Sequence, residues 1–164
     1  MALIPNAANR FAQPRGIVGT WANMEEDNAR TGFAESEFAS GIPLQIGSSE
    51  MGVAPLAAGG RFIGIALRTV DMGGTPTTDG EATFKIADLL GVADMGCVFV
   101  LAGTDVTEGA LPYYDPATRK FHGATAAGRI LIPDCEFDEA AADGEPVALR
   151  IRVVPGADAV TVEE

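Results

Sequence analysis

An all-β or β-rich fold is what this sequence predicts: a compact β-barrel or sandwich of short antiparallel strands, with an extended N-terminal arm and long loops. Three observations carry that expectation. Twenty glycines and ten prolines are spread over 164 residues, 47% of them apolar, and breakers at that frequency favour many short elements joined by turns over long helices. The clearest periodic segments, residues 60–70 and 146–154, alternate with a period of two. No repeat, heptad or low-complexity tract interrupts the pattern. The length suits one core and is short for two, so a single domain is expected over residues 15–154, between an arm at 1–14 and an acidic C-terminal tail at 155–164.

Taken in order, residues 1–14 combine Pro5 and Pro14 with Ala and Asn and no sustained periodicity, the composition of an extended arm. Ile4 and Phe11 are its isolated apolar side chains, of the kind an arm uses to grip a neighbour, although a frayed terminus reads equally well. "GIVGTW" (16–21) is expected to be a first short strand and "GIPLQIG" (41–47) a second, each bounded by glycine. Between them the acids Glu25, Glu26, Asp27, Glu35 and Glu37 read as a solvated loop. "GRFIGIALRTV" (60–70) is a strand with Ile63, Ile65, Leu67 and Thr69 on the better core face. "DMGGTPTTDG" (71–80) has almost nothing to bury and reads as a surface loop.

Residues 84–90 fit a short helix by propensity and a strand by alternation, and periodicity alone leaves both open. A hairpin turning near "ADMG" (93–96) would make both flanks strands, with "CVFVLA" the buried partner. The end of the chain is more legible. "GRILIP" (128–133) alternates, and "PVALRIRVV" (146–154) puts Val147, Leu149, Ile151 and Val153 inward and Arg150 and Arg152 outward. An acidic connection, "DCEFDEAAADGE" (134–145), joins them.

Charge narrows the partners. Eleven Lys+Arg against 23 Asp+Glu leave a formal charge of −12, which repels phosphate backbones and anionic lipid headgroups, so neither nucleic acid nor membrane is expected as a partner. No apolar run approaches the roughly 20 residues that span a bilayer, and the start of the chain lacks the pattern of a signal peptide. Synthesis in a cytoplasm is expected. Cys97 and Cys135, the two cysteines, each border an apolar run and read as small core fillers.

Catalytic chemistry finds little to work with. His122 is the single histidine, there is no G-x-S-x-G, and Cys97 lies in an apolar run that favours the inert thiol. One His and two distant Cys do not make a conventional zinc site. The carboxylates at 134–145 are of the type calcium takes, but the D-x-[DN]-x-[DN]-G pattern is absent and the run reads as solvated. No glycine-rich motif cradles phosphate, so no catalytic residue, cofactor or metal is assigned. The alternative is a small acidic β-barrel that binds a ligand or acts as an enzyme through His122 and the 134–145 connection.

"LPYYDPATRKFHG" (111–123) is a hairpin by its turn chemistry. Asp115 accepts local backbone hydrogen bonds and Pro116 presets φ for the turn. Tyr113 and Tyr114 lead in and Phe121 leads out. That leaves Arg119 and Lys120 at or near the tip, two cations on an anionic molecule, suited to something acidic or to a soluble loop.

The order of these pieces resembles the structural cement, or decoration, proteins of tailed-phage capsids. The segments concerned are "RGIVGTW", "GRFIGIALRTV", "ATFKIADLLGVADMGCVFVLAG", "LPYYDPATRKFHG" and "ILIPDCEFDEAAADGEPVALRIRV", over roughly residues 15–153. The positions that carry it are Asp88 and Val92; Tyr114, Asp115, Thr118, Lys120 and Phe121; and Ile132, Pro133, Phe137, Gly144 and Arg150. Ala87 stands where the family often has Gly, and the 71–80 loop and the tail have no counterpart. The resemblance implies a non-enzymatic, β-rich virion protein made in the host cytoplasm. It would bind the outer face of the assembled head and bridge major capsid protein subunits, as a homotrimer at local threefold positions or a dimer. Ile4 and Phe11 of the arm and Arg119 and Lys120 of the hairpin are then the expected contact residues.

Overall fold

A computed structural model describes residues 16–69 and 83–153. The expected arm with Ile4 and Phe11, the loop at 71–80 and the tail at 155–164 lie outside the described residues. Twelve strands are described: β1 (Asn28–Ala34), β2 (Phe38–Ala39), β3 (Pro43–Ile46), β4 (Gly52–Pro55), β5 (Phe62–Ala66), β6 (Thr83–Phe84), β7 (Leu89–Leu101), β8 (Tyr113–Asp115), β9 (Lys120–His122), β10 (Ile130–Leu131), β11 (Cys135–Phe137) and β12 (Pro146–Arg152). No helix occurs among the described residues, so the β-rich expectation holds.

The strands β1-β4-β3-β5-β7 close into a five-stranded barrel through a second pairing of β1 with β7. Its pairs are antiparallel except β1 with β4, which run parallel at Phe33↔Gly52 and Ala34↔Val53. β7 is the spine of the molecule. Its first half takes β1 on one edge and β5 on the other; its second half leaves the barrel and carries β12, which in turn carries β11. The expected hairpin at 93–96 is therefore absent. One 13-residue strand runs through it, because the ladders of β1 and β12 both extend to Met95. The irregularity in the sequence is absorbed in place, by a shift in the β1–β7 register at Asn28/Ala29 and by Gly96 at φ 115. A Cβ there would sit 2.8 Å from the Trp21 ring.

Residues 16–21 do not form a strand. Gly19 adopts φ 84, and Thr20 N–H and Oγ1–H turn back to the Ile17 carbonyl. The segment still lies along β7, donating from Gly19 to Phe99 O and from Ala22 to Cys97 O. The supposed loop after it contains β1 and β2. Most of β1 is exposed, so its own side chains give it little apolar signature, and pairing with β7 makes it a strand. β5 is buried along its whole length, where two-face alternation had been expected. Pairing Leu44↔Gly64 and Gln45↔Phe62 leaves Ile63 as a bulge, and an interior barrel strand is covered on both sides. The open question at 84–90 resolves to the end of β6, a turn, and the start of β7. Lys85 N–H donates to Asp88 Oδ2 and Ala87 sits at φ 72.

The expected hairpin is present as β8 and β9, with Tyr114↔Phe121 in register, and β10 adds a third strand beside β8. Only Ile130–Leu131 of the "GRILIP" run is strand, and the acidic connection contains β11. β12 follows expectation: Val147, Leu149 and Ile151 are buried. One apolar cluster unites the barrel residues Leu44, Ile65 and Val92 with Tyr114, Phe121 and Phe137 beyond it. Each of those aromatic side chains contributes on the order of 2–3 kcal/mol by leaving water.

Candidate functional site

The hairpin at 113–122 is built around one carboxylate. Asp115 Oδ1 accepts from the N–H of Ala117 at 2.9 Å and of Thr118 at 3.4 Å. The Asp115 carbonyl accepts from Arg119 N–H at 2.8 Å. Burial alone would raise the Asp115 pKa, but the Ala117 N–H and the hydroxyl and N–H of Thr118 outweigh it and hold the acid below its usual range. Tyr114 and Phe121 anchor the arms, their ring centroids 5.2 Å apart.

The two cations at the tip differ. Arg119 is exposed, at φ 59, with no ion pair among the described residues. Lys120 is half-buried and turns to the acidic connection, its Nζ 3.6 Å from Asp143 Oδ1. The hairpin thus presents one uncommitted charge at its tip.

His122 lies on the opposite face of β9 from Phe121. Its side chain is buried, packed where a Cβ on Gly103 would stand, and neither ring nitrogen has a hydrogen-bond partner among the described residues. Burial lowers its pKa, and Arg129 and then Lys120 add to this, against the opposite pull of Asp115 and Asp143. The ring is a packing element, with no nucleophile bonded to it among the described residues.

Four of the six carboxylates at 134–145 are tied into the fold, Asp143 through Lys120. Asp138 pairs with Arg150 at 2.5 Å, Arg150 also reaches Glu25 at 3.2 Å, Glu139 accepts from Ala148 N–H and Glu145 from Ala142 N–H. Among the described residues no group of three or more His, Cys, Asp or Glu is placed to hold a metal ion. Cys97 and Cys135 are buried free thiols. Burial, with the charges of Asp138 and Glu25, pushes Cys97 up to about 11, and burial likewise raises Cys135.

A second constellation, which the sequence reading had not singled out, sits at one mouth of the barrel. Glu35, just after β1, takes the hydroxyl of Ser49, the N–H of Ser48 and of Ser49, and the hydroxyl of Ser48. These bonds hold its carboxyl down to about 2 and tie the β3–β4 turn to β1. Beside that turn, Arg30 Nη2 donates at 2.8 Å to the carbonyl of Ile63, the bulged residue of β5.

Residues 4–152 match the phage family described as "Structural cement protein (E217 gp24/Pam3 gp6)". The chain belongs to this family. Membership makes it a phage structural protein of the capsid-cement class. Among solved structures, a chain in the capsid of Myoviridae phage XM1 is similar at a TM-score of 0.68 and 18% identity, covering 85% of this chain and 92% of that one. The base of the head fiber gp8.5 of bacteriophage phi29 is similar at a TM-score of 0.49 and 15% identity, covering 77% and 94%. No curated protein sequence matches the chain. The order of weak motifs that resembled the cement proteins thus spans most of the matched region.

Proposed function

We propose that this protein binds the outer surface of an assembled phage head, bridges neighbouring major capsid protein subunits and stabilises the shell. The family match over residues 4–152 carries this reading. A ligand of the assembled lattice that ignores free subunits stabilises the lattice by mass action, and many copies with modest individual contacts add through multivalency. A homotrimer at local threefold positions fits closed cyclic symmetry. The contact elements proposed are the arm, through Ile4 and Phe11, and the hairpin tip, where Arg119 carries more of the interaction than Lys120 because Asp143 already holds the lysine.

Mixing the pure protein with undecorated heads and imaging them tests the reading: density on the outer surface is expected, and bare heads at saturating protein would overturn it. Removing residues 1–14 should abolish decoration without unfolding the domain. Arg119→Glu should weaken binding several-fold at low salt and less at high salt, with Lys120→Glu weaker in effect. Unchanged occupancy for either change removes that element from the interface.

A further inference from the structure

The barrel mouth beside the β3–β4 turn is open, and its chemistry is specific. β1 and β4 pair at Phe33 and Ala34 and Phe33 N–H also donates to Met51 O, and among the described residues the ladder runs no further along β1 towards Arg30. A shallow depression there has the buried side chains of Val53, Ile63 and Val92 as its floor and Arg30, Ile46 and Met51 at its rim. Ile46 and Met51 are 53% and 57% exposed, and Leu89, one strand over through its pairing with Phe33, is 66% exposed. With Ile86 in the neighbouring turn, these are four of the seven large apolar side chains that the described residues leave exposed. Such a gathering at one end of a barrel marks a contact surface more than chance scatter does.

Arg30 supplies the polar half of this surface. Its guanidinium spends one donor on the Ile63 carbonyl, which orients the group but does not neutralise it, and it has no ion pair among the described residues. A guanidinium carries five donors in a fixed fork, and apolar walls strengthen whatever anion reaches it. In a chain of net charge −12, a broadly acidic surface would be repelled, so the complement is a single carboxylate in an apolar or basic setting. We propose that this mouth receives an extended segment of the major capsid protein in which an apolar side chain stands next to one carboxylate. The apolar side chain enters between Ile46, Met51 and Val53 while the carboxylate pairs with Arg30. This rests on the cement reading above and adds to it a face and a recognition chemistry distinct from the arm and the hairpin.

The test uses Met51→Cys, which adds an exposed thiol to a protein whose two own cysteines are buried. Maleimide should label the free variant quickly and label it at least tenfold more slowly once it decorates undecorated heads. Arg30→Glu, at an exposed position, should keep the wild-type melting temperature and bind heads at least tenfold more weakly, with Arg30→Lys retaining part of the affinity. Fast labelling on decorated heads, or wild-type binding by Arg30→Glu, overturns the proposal while leaving the cement reading intact. Slow labelling of the free protein means that a second copy covers the mouth, which also overturns it. Failure of the wild-type protein to decorate heads at all overturns both.

Discussion

Ala87 shows how one residue carries information in both sequence and structure. It sits at φ 72 in the turn before β7, where a Cβ crowds the following carbonyl at a cost of about 1–2 kcal/mol. A glycine here, as the resemblance to the cement proteins suggested, would relieve that contact. Ala87→Gly should therefore stabilise the protein by about 0.5–1 kcal/mol after the entropy of the unfolded glycine is subtracted, seen as a higher urea midpoint with an unchanged slope. His122 is the converse, a rare residue whose environment removes its chemistry. Its folded pKa lies below the usual 6.5, so the unfolded chain takes up the proton first. The stability involved is complete above about pH 6.5. It is lost as pH falls from there through the folded value. Melting scans from pH 8 to pH 5 should show wild-type stability falling and His122→Gln falling less; parallel curves would mean His122 is not the group responsible.

Among the elements, the hairpin at 113–122 was fully legible, because its turn chemistry is local: Asp115, Pro116 and the flanking aromatics act within a few residues of one another. β12 was legible for the same reason, its alternation matching one buried face. β1 and β7 were not. β1 is polar along most of its length and becomes a strand through partners such as Asp94, whose Oδ1 accepts from Asn28 Nδ2 across 66 residues of chain. β7 looked interrupted at residues 93–96 because Gly96 and its neighbours carry turn composition. In the structure that glycine relieves a strand crowded by Trp21. Gly96→Val should cost at least about 2 kcal/mol, since it combines a forbidden φ with overlap on the indole, and thermal denaturation with Trp21 fluorescence as the probe would read it. A near-wild-type melting temperature would show that β7 tolerates a side chain at its bend.

At the scale of the whole molecule, an acidic surface closes around a small barrel extended by β12 and β11, and the candidate contacts fall in separate places. The hairpin tip could be named from sequence, although its two cations proved unequal once Asp143 was seen beside Lys120. The mouth at Arg30, Ile46 and Met51 had no sequence signal, because its residues come from five strands and the turn between two of them. By itself the sequence determined the β-rich class, the hairpin, the buried face of β12 and the kinship with capsid cement proteins, since turn residues, period-two alternation and motif order are local properties of the chain. The tertiary structure alone decided that β7 is one continuous strand, that β1 closes a barrel, that His122 is packed and four of the six acids at 134–145 are paired, and that the Arg30 guanidinium, without an ion pair among the described residues, stands at an apolar depression. Those facts depend on which distant segments meet, and pairing across such separations leaves no periodic mark on either partner.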